Sequence, residues 1–539
     1  MIHTHEVLNQ SVLPPEIDGY ATDVPLVEAV TRYGGGWATD TLSSLGTVAL
    51  SHEGAELSRQ ANRNKPVLRT FDRFGHRIDE VEFHPAYHQL MSIGKEHGVH
   101  SLSWVNRGRE GAFVARSAMH YLYVQLEAGV ACPMTMTHAV VPSLAHSPEV
   151  AEAWVPQILK NAYDAPLAPA GQKKGVTFGM AMTEKQGGSD VRANTTVAKP
   201  AADGAFELWG HKWFCSAPMS DAFLTLAQGP EGLTCFLVPR IRPDGSRNPF
   251  FIQRLKDKVG NWSNASSEIE YRGTWAQRVG VPGRGVPTII EMVAQTRLDV
   301  AVGAAGLMRQ GHRLALHHAR HRAAFGKKLI DQPLMQNVLA DLALEVEAAT
   351  ALALRLAAAF DRSETNLEEA AFARAAMPIT KYWLAKRVIG FTAECLECHG
   401  GNGYVEDFPL AQLYREAPLG SIWEGSGNVQ CLDVLRAMQR SPGSLAAVQA
   451  ELVGHQGKDA RLDRLLGAIQ RELADPGTLE VRARRVVERM ALALQAGLLI
   501  DHAPTGVSEA FLAARLDDGG LMYGNLPAGT DFEAILARA

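Results

Sequence analysis

Cysteine is scarce in this chain, with six residues in 539. Cys132, Cys215, Cys235, Cys395, Cys398 and Cys431 are spread too thinly for the disulfide framework of a small secreted scaffold. One cluster matches a known pattern, because Cys395-Leu-Glu-Cys398-His399 has the C-x-x-C-H spacing of c-type haem attachment. That attachment requires export, and no second Cys or His pair stands at metal-finger spacing. Helix-end packing is therefore the expected role, and no metal is expected. An excess of one charge is also missing, since 53 Lys and Arg face 58 Asp and Glu for a net charge of −5. This excludes a basic field over the whole molecule but leaves room for a local basic patch. Long apolar runs are absent too: ALALRLAAAF is interrupted by Arg355, and MALALQAGLLI is too short to span a bilayer. The first residues, MIHTHEVLNQSVLPPE, have neither a basic n-region nor an apolar core. Together these absences predict a cytoplasmic chain with no membrane contact. The remaining composition, 46% hydrophobic and 21% charged, is that of a globular protein. At this length about three or four domains are expected.

The texture of the sequence changes twice. From Thr22 to about Leu144 apolar residues recur three or four apart, as in Phe113-Val114, Ala118, Tyr121-Leu122 and Val124, which predicts helices. Pro14-Pro15, Gly34-Gly35-Gly36 and Asn62-Arg63-Asn64 predict irregular chain in the first eighty residues. Beyond Pro166 and Pro169 come short β-type runs (VTFGMAM, AFELWGHKWF, AFLTLAQ, LTCFLVPR and SEIEYRGTW) divided by turn residues. These predict a small barrel or sandwich between helical regions. From about Pro287 the helical period returns in three Ala- and Leu-rich segments, near 288–320, 332–361 and 366–398. Each is too apolar to lie alone on a surface, so an antiparallel bundle is expected. A Gly-rich interruption, HGGNGYVEDFP, precedes another helix from about Ser426 to Arg440. Ser441-Pro442-Gly443 reads as a linker to further amphipathic helices, broken near Asp475-Pro476-Gly477 and Ala503-Pro504.

Several short segments carry chemical possibilities. Ala181-Met-Thr-Glu-Lys-Gln-Gly-Gly-Ser-Asp190 offers hydroxyls and paired glycines at the end of a predicted strand, a composition suited to a phosphate or a polar ring edge. It also fits an ordinary surface turn. Ser421-Ile-Trp-Glu424-Gly425-Ser426-Gly427-Asn428 sets one carboxylate beside a large ring at a loop-to-helix junction. Apolar surroundings there would raise its pKa toward the range of a general base. The alternative is an acid that merely favours a helix N-terminus. His399-Gly-Gly-Asn-Gly-Tyr404 ends a helix, and Arg322-Ala-Ala-Phe325-Gly326 places a guanidinium and a ring at another helix end. A helix cap and a solvated arginine account for these two equally well.

Taken together and in this order, these segments resemble the acyl-CoA dehydrogenase family. Ala181 to Ala193 fits the family's first signature at each constrained position, and His399 to Glu416 fits most of the second. The R-x-x-F-G and E-G-S elements stand at the expected spacing. Gln412 departs from a Lys or Arg, and Ala294 replaces an aspartate that in several members helps to place the acyl thioester. The resemblance implies an α+β, mainly α fold: an N-terminal helical domain (1–168), a central β-barrel (169–286), a four-helix bundle (287–440) and an extra C-terminal helical domain (441–539). It further implies FAD held between domains of a homotetramer. Met182, Thr183, Gly188, Ser189, Phe214, Cys215, Ser216, Trp423, Gly425, Ser426 and Asn428 would contact the cofactor, with Arg322 and Phe325 reaching it from a neighbouring subunit. Glu424 is the implied catalytic base, removing an α-proton from an acyl-CoA while a hydride leaves the β-carbon.

The ends of the chain, including THEVLNQS, EAVTRYGGGW and VEFHPAYHQLM, narrow the resemblance to one branch of the family. That branch adds a C-terminal helical domain, binds duplex DNA, takes part in the response to DNA alkylation and has feeble dehydrogenase activity. Its overall charge does not explain DNA binding here: from Arg436 onward 12 basic residues face 13 acidic ones. Only the run Arg482, Arg484, Arg485 and Arg489 is densely basic. Arg482, Arg485 and Arg489 would share one helix face and are the expected DNA contacts.

Overall fold

The computed structural model describes residues 4–517 and 519–539. It opens with helices α1 (Val24–Arg32), α2 (Thr39–Ala49) and α3 (His52–Arg63), followed by a hairpin of strands β1 (Val67–Phe71) and β2 (Arg77–Glu82). Pro14-Pro15 lie in irregular chain as expected, whereas the other breakers of this region mark helix ends. Gly34 takes φ 81° after α1, and Asn64 is the C-cap of α3. Asp23 and Ser51 cap the N-termini of α1 and α3 by accepting from Leu26 N and Gly54 N. Next come α4 (Pro85–Glu96), α5 (Leu102–Val105), α6 (Ala112–Leu126), α7 (Ala128–Leu144) and α8 (Pro148–Ile158). Strands β3 (Phe178–Ala181), β4 (Val197–Pro200), β5 (Phe206–Ser216), β6 (Ala222–Gly229), β7 (Gly232–Pro239), β8 (Phe250–Leu255) and β9 (Ser266–Val279) follow.

The helical period then resumes with α9 (Gly285–His321), a tiny hairpin of β10 (Ala323–Ala324) and β11 (Lys327–Lys328), α10 (Pro333–Arg362) and α11 (Leu367–Cys398). The three long helices lie within a few residues of their expected bounds. After them stand α12 (Pro409–Glu416), α13 (Gly427–Arg440), α14 (Pro442–Val453), α15 (Ala460–Leu473), α16 (Leu479–His502), α17 (Thr505–Leu516) and α18 (Phe532–Leu536). The linker expected at Ser441-Pro442-Gly443 is a tight corner, because only Ser441 separates α13 from α14. No helix among the described residues is long and apolar enough to cross a membrane.

The chain divides into two compact units. One comprises Ser51–Ala112 and Leu126–Asp299 and contains the barrel. Its strands run in the order β3-β6-β4-β5-β9-β7, β8 pairs with β9, and β6 pairs with β7 to close the ring. Closure removes the open edges that a sheet would otherwise present. Phe206, Phe223, Phe236, Phe250, Ile252, Ile269 and Tyr271 fill the interior together with the Cys215 thiol. Strands β4 and β8 and the first hairpin escape the sequence pattern. β4 has four residues, only one of them buried, too few for a two-residue period to register.

The other unit comprises Met1–Leu50, Phe113–Gln125 and Val300–Ala539. Short Ser363–Asn366 chain joins α10 to α11, and Asn366 caps α11 by accepting from Glu368 N and Glu369 N. The last hundred residues are bound firmly to this bundle. Trp383 Nε1 donates to Gln495 Oε1 of α16 at 2.8 Å, and Arg355 pairs with Glu451 of α14 at 2.8 Å. Arg515 of α17 reaches Asp341 at 2.6 Å and Glu345 at 3.0 Å, both on α10. Cys395 and Cys398 are buried at the end of α11, and His399 caps it with Nδ1 3.0 Å from Cys395 O and its ring stacked on His318 at 4.5 Å. The C-x-x-C-H sequence thus closes a helix end. All six cysteines are buried.

Within this unit Arg309 forms a buried pair with Asp23 at 2.9 Å, their side chains 7% and 3% exposed, and Tyr121 Oη also donates to Asp23 at 2.9 Å. Removing one member of such a pair leaves an uncompensated charge in the core. Asp23→Ala should lower stability by about 3–5 kcal/mol, read from urea unfolding followed by far-UV circular dichroism. A loss below about 1 kcal/mol would show that the guanidinium finds another partner in the folded state.

Candidate functional site

In the barrel unit, the segment from Met182 to Asp190 rises from a buried ion pair. Glu184 meets Lys212 of β5 at 2.9 Å, with both side chains fully buried. The carboxylate also accepts from Thr195 N at 2.7 Å, Thr195 Oγ1 at 2.9 Å and Thr196 N at 3.1 Å. Lys212 spends a second donor on Leu226 O at 2.8 Å. Burial disfavours charge on Glu184, but Lys212 and the surrounding donors outweigh it and hold the carboxyl well below the usual range. Around this root, Trp213 N donates to Thr183 O at 2.7 Å and Asn194 Nδ2 to Met182 O at 3.0 Å. Met182 and Thr183 are half-buried, and Gly188 and Ser189 are exposed. A Cβ at Gly188 would fall 2.3 Å from Thr183 Oγ1, so a side chain there would collide with that hydroxyl.

Strand β5 supplies the next group. Its pairing with β9 slips between Lys212 and Cys215, and this irregularity contains Trp213 and Phe214. Such a bulge re-aims side chains that regular alternation would send elsewhere. Phe214 is 48% exposed. Lys256 Nζ lies 3.2 Å from the Trp213 ring centroid and 4.8 Å from that of Phe214. Ser216 is half-buried, with Oγ 3.3 Å from Ser266 Oγ. Cys215, expected among the cofactor contacts, turns its thiol into the barrel core, where burial pushes it up to about 12. Any contact it makes with a ligand runs through its backbone.

In the helical unit, the segment from Trp423 to Asn428 is a strained turn held from below. Glu424 adopts φ 56° and Gly425 φ 98°, and the first of these is unusual for a residue with a side chain. Lys381, buried in α11, donates to Trp423 O at 2.9 Å and Gly425 O at 2.6 Å. Gln430 Nε2 donates to Glu424 O at 3.0 Å and Gly425 O at 3.1 Å. Four hydrogen bonds to three successive carbonyls thus fix the loop. Ser426 is the N-cap residue of α13, and a Cβ at Gly427 would sit 3.1 Å from Lys386 Cε. Asn428 accepts from Arg484 Nε of α16 at 2.8 Å. Trp423 Nε1 is buried and finds no hydrogen-bond partner among the described residues.

Arg322 and Phe325 stand at the β10–β11 hairpin. Arg322 Nη1 donates to Asn9 O at 2.6 Å, while Phe325 is 100% exposed in a left-handed backbone, φ 51°. On α16, Arg482, Arg485 and Arg489 do share one face, as their spacing predicts. All three converge on Glu472 of α15, Arg485 at 2.7 Å and Arg489 at 2.8 Å, and Arg482 also reaches Asp475 at 3.2 Å.

The supports of these segments escaped sequence reasoning. Lys381 carries one signal, a lone cation in the apolar run MPITKYWLA. Lys212 stands in GHKWF and Glu184 in the first signature, but nothing in the sequence pairs them. Gln430 and Arg484 carry no signal of their own.

Comparison with known proteins bears on what this geometry serves. Residues 9–165 match the domain described as adaptive response protein AidB N-terminal domain. Residues 179–274 match the acyl-CoA dehydrogenase middle domain, and residues 283–439 match its C-terminal domain. AidB of Escherichia coli strain K12 is 44% identical over 518 residues, covering 96% of this chain and 95% of its own. Acyl-CoA dehydrogenase family member 11 of Caenorhabditis elegans is 31% identical over 490 residues, covering 84% and 78%. The crystal structure of Caenorhabditis elegans ACDH-11 in complex with C11-CoA superposes with a TM-score of 0.86 at 28% identity, covering 95% of this chain and 93% of that one.

The Glu184–Lys212 pair has a pH signature. A carboxyl depressed in the folded state contributes stability that is complete above its unfolded pKa, about 4.3. That contribution is lost as pH falls through the folded value. The barrel should therefore hold its stability from pH 7 to about 5 and lose it progressively below about 4. Glu184→Gln should cost about 3–5 kcal/mol at neutral pH by stranding Lys212 and should flatten the acid limb. Urea midpoints measured across this pH range test both effects, and an acid limb equally steep in the variant would assign the loss to other carboxyls.

Proposed function

The chain belongs to the acyl-CoA dehydrogenase family and is closely related to Escherichia coli AidB, and from that premise we propose that it is an FAD flavoprotein of the AidB type. The residues present fit the cofactor. Thr183, Ser189 and Ser216 offer hydroxyl donors, and Phe214 offers an exposed aromatic face to a planar ring. Gly188 keeps the chain clear of the Thr183 hydroxyl, and the Trp423 indole N–H is an unspent buried donor. The family resemblance adds Met182 in the barrel unit and Gly425, Ser426 and Asn428 in the helical unit as cofactor contacts, with Cys215 contributing only backbone. Arg322 and Phe325 would reach the flavin of a neighbouring copy in a homotetramer of D₂ symmetry. FAD, when bound, supplies the acceptor for a hydride.

The observation that carries the catalytic part is the left-handed Glu424, anchored through its own and its neighbours' carbonyls. A backbone so fixed sets the direction in which the Glu424 side chain leaves the turn, and a carboxylate on it can take the α-proton of an acyl thioester. The likeness to a protein crystallised with C11-CoA supports an acyl-CoA as ligand. Ala294 removes a carboxylate that would help to hold the thioester end, which points to slow turnover. A metabolic dehydrogenase acting on a short or branched acyl-CoA, with Glu424 as base, is the alternative within the same chemistry.

A second activity, binding of duplex DNA during the response to alkylation damage, is supported by the arginine face of α16. Three guanidiniums meet two carboxylates there, Glu472 and Asp475, leaving a local excess of positive charge in a chain of net charge −5. Their engagement with Glu472 and Asp475 means that phosphates must compete with carboxylates already in place. Binding should accordingly be weak, indifferent to sequence and steeply salt-dependent.

Ser189→Tyr should lose the flavin absorbance with the fold intact, and full occupancy in that variant would remove Ser189 from the cofactor site. Glu424→Gln should keep its flavin but no longer bleach in anaerobic acyl-CoA titrations, whereas undiminished bleaching would leave the base unassigned. For DNA, a random-sequence duplex should bind the parent at low salt and lose affinity about 10-fold or more for Arg482/Arg485/Arg489→Glu. Equal binding by the two, or none by either, refutes the role of α16.

A further inference from the structure

Near its start the chain runs as an extended segment whose polar groups face inward and whose apolar groups face out. Asn9 Nδ2 donates to Ala323 O at 2.8 Å, Ala323 N donates to Asn9 Oδ1 at 2.7 Å, and Arg322 Nη1 donates to Asn9 O. Asn402 Nδ2 reaches Gln10 Oε1 at 3.3 Å, Ser11 Oγ meets His318 Nδ1 at 2.9 Å, and His317 Nε2 donates to Val12 O at 2.8 Å. Four successive residues are thus pinned to α9, to the β10–β11 hairpin and to the glycine-rich segment after α11. Meanwhile Val7, Leu8, Val12 and Leu13 are 79%, 70%, 63% and 72% exposed. The groups that anchor the segment also bring it beside Phe325, 100% exposed, and Tyr404, 82% exposed.

This is the reverse of a surface strap, which keeps its polar side to water. Six large exposed apolar side chains on segments tied together by these hydrogen bonds exceed what a monomer ordinarily leaves uncovered. We propose that residues 7–13 form an assembly element, seated against a second copy of this chain together with the hairpin that carries Phe325. The proposal rests on the reading that Arg322 and Phe325 face a neighbouring copy, and adds to it a segment far away in sequence.

Charge selects a second copy over other occupants. Next to Phe325 in the chain stand exposed Lys327 and Lys328, and next to Tyr404 stand exposed Glu406 and Asp407, of which Glu406 already pairs with Arg415. In a two-fold contact each residue meets its counterpart's surroundings, so the lysines of one copy can face the acids of the other. The apolar area offered is on the order of 700 Å² per copy, close to the roughly 800 Å² per partner of a stable interface. Asn9, in a left-handed backbone with φ 57°, is the positioning residue because it ties the segment to both backbone groups of Ala323.

Sedimentation velocity of the full chain over a concentration series tests the proposal. Val7→Asp/Leu8→Asp/Leu13→Asp should raise the concentration for half-assembly at least about 100-fold, with an unchanged far-UV spectrum, since these side chains lie outside the protomer core. Val7→Thr/Leu8→Asn, which adds no charge, should shift it in the same direction by about 10-fold. Asn9→Ala should weaken assembly while Asn9→Asp, which keeps the acceptor to Ala323 N, retains part of it. A triple variant that assembles like the parent overturns the proposal. Phe325→Asp separates it from the reading beneath: dissociation of that variant alone retains the hairpin contact and rejects the segment. Dissociation of the triple variant alone retains the segment and rejects the hairpin contact. A parent that stays monomeric rejects both.

Discussion

A buried ammonium fixes the turn on which the proposed chemistry depends. Lys381 sits within the 32-residue helix α11 and donates to the carbonyls on either side of Glu424. Holding a residue with a side chain in the left-handed region costs on the order of 1–3 kcal/mol. Hydrogen bonds from a charged donor contribute about 1.5–3 kcal/mol each, so two of them outweigh the strain. The backbone of Glu424 is therefore placed by the bundle: length and packing of α11 set where the ammonium stands, and the ammonium sets the turn. Gln430, one turn into α13, completes the arrangement from the other side.

The barrel uses the same device with the charges in another order. Glu184 is the buried acceptor at the foot of the 182–190 segment, and Lys212 neutralises it from β5. In both places a charged group withdrawn from water supports backbone that must stay irregular. Buried pairs of this kind contribute little net stability relative to well-packed apolar residues, but loss of one member is severe. What they provide here is specificity of conformation. The exposed donors at the head of the segment are free to meet a ligand because the buried ones are already satisfied.

Much of this architecture was legible because it obeys simple periods. The long helices near 288–320, 332–361 and 366–398 declare themselves through sustained Ala and Leu at helical spacing, and the longer barrel strands through β-branched and aromatic runs between turn residues. β4 was too short to register, and the N-terminal helices were hidden by breakers that turn out to be caps. For the candidate site, the motif residues were visible and their supports were not. A sequence displays Glu424 and Ser189 as members of patterns, whereas the hydrogen bonds of Lys381 to residues 423 and 425 join positions more than forty apart. The arginines of α16 show the converse: spacing correctly placed them on one face, but only the fold reveals Glu472 on the neighbouring helix α15 in front of them.

Withdrawal of every cysteine from the surface has a chemical consequence. Burial pushes the Cys215, Cys235 and Cys398 thiols up to about 12 and Cys431 to about 11, so at neutral pH essentially no thiolate is present at these positions. Methylating and oxidising electrophiles react with thiolates far faster than with protonated, inaccessible thiols. The described residues therefore offer soft electrophiles no thiolate at the surface, where the sulfur they meet is the thioether of Met522, 70% exposed.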